Sequence, residues 1–175
     1  MSKKSILITF ITVAIIGLCG YTYLGGFHEV KISKVAIGSY KIAGKHFEGK
    51  VQSKVLEHIF FEAKEYVQNH NGANSIAIIY YKSTDNSIGK IDCFAGALLE
   101  PNAENLPKDF EIREIMVKEV LRARFEGHRL VTPEPNTMYQ KIKKYADKNN
   151  IRLQKIYIEK YFSDDAIEVD YLIID

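Results

Sequence analysis

Apolar and polar positions follow three rhythms along the chain. Ser5 to Leu24 (SILITFITVAIIGLCGYTYL) carries no charged residue. At 1.5 Å rise per residue, about 20 helical residues span the roughly 30 Å hydrocarbon core of a bilayer. Val30 to Phe47 reads as extended, with an irregularity over Ser39 to Gly44. Val55, Leu56, Ile59, Phe60, Ala63 and Val67 recur at helical spacing and predict a helix from Ser53 to His70. Strands follow over Ile76–Tyr81 and Gly89–Leu99. A linker with Pro101 and Pro107 leads to a long strand over Phe110–Phe125. Pro133 and Pro135 delay the next helix, capped by Asn136 or Thr137 and ending near Lys148. Leu153–Phe162 and Ala166–Ile174 close the chain as strands.

This order repeats. His46-Phe47-Glu48-Gly49 and Arg124-Phe125-Glu126-Gly127 share Phe-Glu-Gly at an offset of 78, which also superposes Asn71 on Asn149, Ile78 on Ile156 and Asp92 on Asp170. Each copy is strand, helix, strand, strand. The expected domains are a segment at 1–27 and a duplicated domain at 28–175, with repeats at 28–100 and 109–175.

Composition narrows the function. The net charge is +2, and setting Lys3 and Lys4 aside leaves a neutral body without the basic face that nucleic acid requires. Cys19 and Cys93 form neither a disulfide framework nor a zinc set. The 5–24 segment has three readings. Its length favours an uncleaved single-pass anchor. A cleaved signal peptide would need a better small-x-small site around Gly17 to Gly26, and a buried core helix would need a polar face. Lys3 and Lys4 before the span compete with Lys31, Lys34 and Lys41 after it; the immediate flanks favour the domain on the extracytoplasmic side.

The βαββ–βαββ order, the strand ending in x-Phe-x-Gly and Ile158-Glu159-x-Tyr161 on the penultimate strand resemble the GyrI-like effector-binding superfamily. That superfamily includes the ligand-sensing halves of multidrug-responsive and AraC-type regulators and is related to SOUL haem-binding proteins. The resemblance covers about Val30 to Asp175. It implies an α+β fold: a pseudo-twofold duplication of a βαββ unit, with a curved antiparallel sheet, two helices and a central cleft, here preceded by one transmembrane helix. The cleft would take small, often apolar and cationic molecules. The chain departs from the family in lacking a DNA-binding domain before the fold and in having no tryptophan.

Strand parity gives an independent reading. Leu153, Lys155, Tyr157, Glu159 and Tyr161 share one face, and Ile156 and Ile158 share the other. Packing the Ile face under the helix turns the Tyr-Glu-Tyr face toward the cleft or solvent. The offset of 78 brings Ala77, Ile79 and Tyr81 to the equivalent face, with Tyr81 across from Glu159. A two-residue turn at Ser163-Asp164 would set Glu159 opposite Glu168, whereas a bulge or a three-residue turn would change that parity. The candidate ligand-binding residues are therefore Glu159, Tyr81, Tyr157, Tyr161, Glu168 and Ile79. Together they make an aromatic cleft with an acidic floor for a lipophilic cation. The plain alternative is a solvated strand face with Lys155 or Lys160 neutralising Glu159.

Other chemistry is thin. His58 and Glu62 have metal-binding spacing without a third ligand, Cys93 has no base beside it in sequence, and Lys141, Lys143 and Lys144 belong to a solvated helix face. No catalytic residue, metal or cofactor is expected. The reading is membrane-anchored, non-catalytic binding of a small amphipathic or cationic molecule. Alternatives are a hydrolase working through a cleft glutamate and an anchored adaptor for a protein partner. A haem role is weaker, because no histidine falls on the cleft strands.

Overall fold

The computed structural model describes residues 3–69, 72–81, 89–101, 103, 105–128 and 130–174. The Asn71–Asn149 correspondence, the His70 helix end and parts of the linker lie outside them. The elements are α1 (Lys3–Tyr23), β1 (Lys31–Lys50), α2 (Lys54–Asn69), β2 (Ala73–Tyr80), β3 (Lys90–Leu99), β4 (Glu111–Glu126), α3 (Pro135–Lys148), β5 (Leu153–Phe162) and β6 (Ala166–Ile173). After α1 the order is βαββ twice, the α+β duplication expected.

The curved antiparallel sheet closes into a barrel in the order β1-β3-β2-β5-β6-β4. Closure depends on the two longest strands. β1 pairs with β4 over Lys31 to Gly44 and with β3 over Ile42 to Lys50, while β4 pairs with β6 only from Val120 to Glu126. The stretch of β1 and β4 between these regions therefore straps the two halves together. Its ladder is interrupted at Ile37, beside Gly38 at φ 95, just ahead of the irregularity predicted from sequence.

Both faces of the sheet carry a buried core. Tyr40, Ile42, Ile79, Phe94, Ile158 and Leu172 fill the barrel. Outside it, α2 covers a core of Phe47, Ile78, Ile91 and Cys93, and α3 covers one of Leu121, Phe125, Val169 and Tyr171. α2 turns Leu56, Ile59, Ala63 and Tyr66 inward and leaves Val55 exposed, so Tyr66 rather than Val67 completes the stripe. Ser53 caps this helix, its Oγ accepting from the Val55 N–H at 3.2 Å.

The repeated Phe-Glu-Gly has a packing cause. Phe47 and Phe125 are buried in the two helix-covered cores, and a Cβ built on Gly49 or Gly127 would stand 2.9 Å from the ring two residues earlier. Gly44 and Gly96 pair across β1 and β3 at closer range still: a Cβ on Gly96 would lie 1.9 Å from the Ala43 carbonyl oxygen. Backbone cannot swing aside as a side chain does. Gly96→Ala is expected to cost about 3 kcal/mol, the upper end of ordinary overpacking, read as a lowered urea midpoint. An unchanged midpoint would show that the strands separate freely.

α1 has the length and apolar composition to cross a membrane and contributes no buried residue. It is tied to the barrel by the turn after it, where the Leu24 carbonyl accepts from the His128 N–H at 2.9 Å.

Candidate functional site

β5 has opposite demands on its two faces. Ile158 enters the barrel and is fully buried, so Tyr157, Glu159 and Tyr161 take the outer face. That face carries both helices. The expectation that Ile156 and Ile158 lie under a helix is reversed, because closure gives the inside of the sheet its own core to fill. Glu159 pairs in register with Ile78 on β2 and Val169 on β6, in the seam between the α2-covered and α3-covered halves.

The seam is lined by tyrosines. Tyr80 stacks on Tyr157 with ring centroids 4.7 Å apart, Tyr157 stacks on Tyr171 at 4.9 Å, and Tyr139 of α3 lies 5.6 Å beyond. Register produces this ladder, since Tyr80 pairs with Tyr157 and Tyr157 with Tyr171. Beside it Glu159 is only 5% exposed. Its carboxylate accepts from the Tyr161 hydroxyl at 2.7 Å, with a second hydrogen bond from Tyr80. Burial pushes the Glu159 carboxyl above the usual carboxylate range, and the two tyrosines only partly offset it. No lysine, arginine or histidine among the described residues pairs with it. Lys160, one candidate for neutralising it, points into the barrel, and Lys155 is exposed. Burial and the neighbouring carboxylate also push the Tyr80 and Tyr161 hydroxyls up, which keeps them neutral donors.

A groove of about 550 Å³ opens against this cluster, with Leu56, Phe60, Ile78, Tyr80, Ile91 and Tyr161 among its walls. Glu159 stands behind Tyr161 rather than on the groove wall.

Three of the six predicted residues, Glu159, Tyr157 and Tyr161, come together here, and three do not. Ile79 is fully buried inside the barrel. Tyr81 packs on the barrel core, where its hydroxyl accepts from Arg113, and Tyr80 takes the place beside Glu159 that was expected for it. The offset of 78 holds for the helix-facing Phe47 and Phe125 but slips in β5, which carries an irregularity between Leu153 and Tyr157. Glu168 pairs in register with Lys160, not Glu159. The cause is the turn: β5 ends at Phe162 and β6 starts at Ala166, leaving three residues with Asp165 at φ 63. That added residue moves Glu168 to the inner face.

Inside the barrel Glu168 joins a charged cluster. Arg122 grips Asp170 through two N–H donors at 2.8 and 2.9 Å. Lys160 lies 2.6 Å from Asp170 and 2.5 Å from Glu168, and Arg124 donates to Glu168 at 2.6 Å. The Tyr40 hydroxyl donates to Asp170 as well. Burial alone would raise the Asp170 carboxyl, but Arg122, Lys160 and Tyr40 hold it below the usual carboxylate range.

No protein-family model and no curated protein matches the sequence. Solved structures match its fold. The C-terminal domain of EcmrR superposes with a TM-score of 0.59 at 12% identity, covering 85% of this chain and 99% of that domain. EcmrR in its DNA complex covers 98% of this chain and 69% of its own, at 11% identity and a TM-score of 0.59. A hydrolase from Listeria innocua superposes with a TM-score of 0.57 at 7% identity, covering 88% of this chain and 98% of its own. The chain has the fold of the EcmrR C-terminal domain. The likeness to these structures is one of fold.

Within the EcmrR-type fold, sequence reasoning missed Tyr80 and Tyr171 in the seam and Arg122, Lys160 and Asp170 in the barrel. A signal for the second group exists: Arg122 and Arg124 alternate on one strand, Glu168 and Asp170 on another. Like alternation of opposite charge on two strands is what facing ladders produce.

Proposed function

We propose that the chain is a membrane-anchored, non-catalytic binding protein for a small lipophilic cation, held in the seam between α2 and α3. The observation that carries this is Glu159: a carboxyl 5% exposed, among stacked tyrosines, with no cationic partner among the described residues. A buried carboxylate without a counter-ion is costly, and a flat cation supplies both the missing charge and a ring-face contact. The groove beside Tyr161 is the entry, and the ligand reaches Glu159 by displacing the Tyr161 hydroxyl. The resemblance to the GyrI-like superfamily agrees with a ligand of this class.

The hydrolase reading is weaker. A Glu159–Glu168 pair would have suited acid–base work, and Glu168 instead lies on the other face of the sheet, tied to Lys160 and Arg124.

Titration of the full chain in lipid nanodiscs with ethidium, subtracting empty nanodiscs, tests the binding reading. Saturable binding that weakens in Glu159→Gln is expected. Equal binding by the two proteins would remove Glu159 from the site. The anchor is α1, with the domain outside because Lys3 and Lys4 precede the span. A C-terminal alkaline phosphatase fusion is expected to be active in a bacterial host. A silent, stably expressed fusion would reverse the orientation.

A further inference from the structure

The charged end of the barrel plays no part in the seam, and it borders a cavity of its own. We propose that this mouth is a second binding site, for a small amphiphile with a monoanionic carboxylate head.

The cavity measures about 580 Å³. Ile37, Leu98, Leu99 and Phe162 give it apolar walls, and Arg122 and Arg124 are among its polar lining. Small-molecule sites run from roughly 300 to 1,000 Å³ and combine such walls with a few placed polar groups.

Arg124 is held but not exhausted. Arg122 uses Nε and one terminal nitrogen on Asp170 and Glu168 and also meets the Tyr40 hydroxyl. Arg124 uses Nε on Glu126 and one terminal nitrogen on Glu168, and its other terminal nitrogen has no partner among the described residues. Every buried side-chain polar atom among those residues is satisfied, so this nitrogen is not buried. Arg124 lines the cavity, which makes this nitrogen a donor for an incoming oxygen. Because carboxylates already fix its plane, an anion meets an oriented donor without ordering a flexible chain.

Charge fixes the valence. Lys41, Arg122, Arg124 and Lys160 line the cavity against Glu100 and Glu168, with Asp170 behind them. Glu126, which accepts from Arg124, is offset by Lys31 at 4.0 Å. One positive charge remains, which suits a single carboxylate.

Packing alone does not call for this arrangement. The rest of the barrel is filled by Ile42, Ile79, Phe94, Ile158 and Leu172. Replacing a buried ion cluster with such residues is often neutral or stabilising. The mouth also lies near α1, since Arg124 pairs in register with Lys31, eight positions beyond the last helical residue, Tyr23. If α1 is an anchor, an amphiphile in the membrane surface is within about 30 Å of chain contour.

Hexanoate is the probe, measured by saturation-transfer NMR on the full chain in lipid nanodiscs, with hexan-1-ol and hexylammonium as comparators. Saturable hexanoate binding is expected, with both comparators at least about tenfold weaker, the scale of one charge-assisted hydrogen bond. Arg124→Gln, at a partly exposed position, is expected to lose about tenfold. Leu98→Trp, which adds bulk to an apolar wall of the cavity and removes no charge, is expected to lose as much. Ethidium should not displace hexanoate, so the result stands or falls apart from the seam. Equal binding of hexan-1-ol or hexylammonium, displacement by ethidium, absence of saturation, or unchanged binding by both folded variants would overturn the proposal.

Discussion

Asp170→Leu is expected to lower stability by about 3–5 kcal/mol, the cost of removing one partner from a buried ion pair. The side chain is fully buried and receives Arg122 bidentately, Lys160 and Tyr40. Its loss leaves Lys160, itself only 2% exposed, with Glu168 as its one carboxylate, which Arg122 and Arg124 also share. Native domains hold only about 5–15 kcal/mol in all, so a large part of the fold's margin rests on this carboxylate. The same group predicts an acid limb. Its folded pKa is depressed, so its contribution is complete above the unfolded value of about 3.9 and is lost as pH falls through the folded one. Urea unfolding across that range checks both statements. A loss under about 1 kcal/mol, or the same acid limb in Asp170→Leu, would show that the cluster is not what holds the barrel end.

Glu159→Gln should act in two opposite directions. Binding of a lipophilic cation should weaken by roughly 1–3 kcal/mol, about 5- to 150-fold, because the ligand loses its buried counter-charge. Stability of the empty protein should rise. The folded pKa of Glu159 is raised, so the native state holds its proton more tightly than the unfolded chain does. Stability from this group therefore falls as pH climbs from the unfolded value toward and past the folded one, and the charged form is a liability above it. The gain in Glu159→Gln should be small at pH 4 and larger at pH 8. Unfolding curves at the two pH values, beside ethidium titrations, separate the effects. A variant that loses both stability and binding would mark Glu159 as a structural residue only.

Much of the architecture was legible because the duplication repeats a packing device. Phe47 with Gly49 and Phe125 with Gly127 mark the same strand-to-helix turn twice, and the order of elements between them is preserved. What could not be read was which face of each strand looks inward. In most sheets one face is wet, and the apolar side identifies the core. β5 is covered on both sides, so Ile158 and Tyr157 are each compatible with either core. The β5–β6 turn added a second ambiguity: Ser163-Asp164-Asp165 accommodates a two- or three-residue loop, and one residue of difference moves Glu168 through the sheet. Glu159 stays on one face with Tyr157 and Tyr161 because its own strand was correctly bounded, though that face lies under the helices rather than away from them, whereas Tyr81 and Ile79 rested on an offset that slips beside them.

The strap formed by the middle of β1 and β4 leaves open backbone on its outer margins, since the described residues of that stretch have a single strand neighbour each. An open margin invites a strand from another copy. Here apolar side chains are interspersed with Lys34, Lys41, Arg113, Glu114, Lys118 and Glu119, and Lys34 is locked to Glu119 at 2.6 Å. A second copy could reach the free amides only by stripping water from these charged side chains, which guards the opening against becoming a seed for fibres.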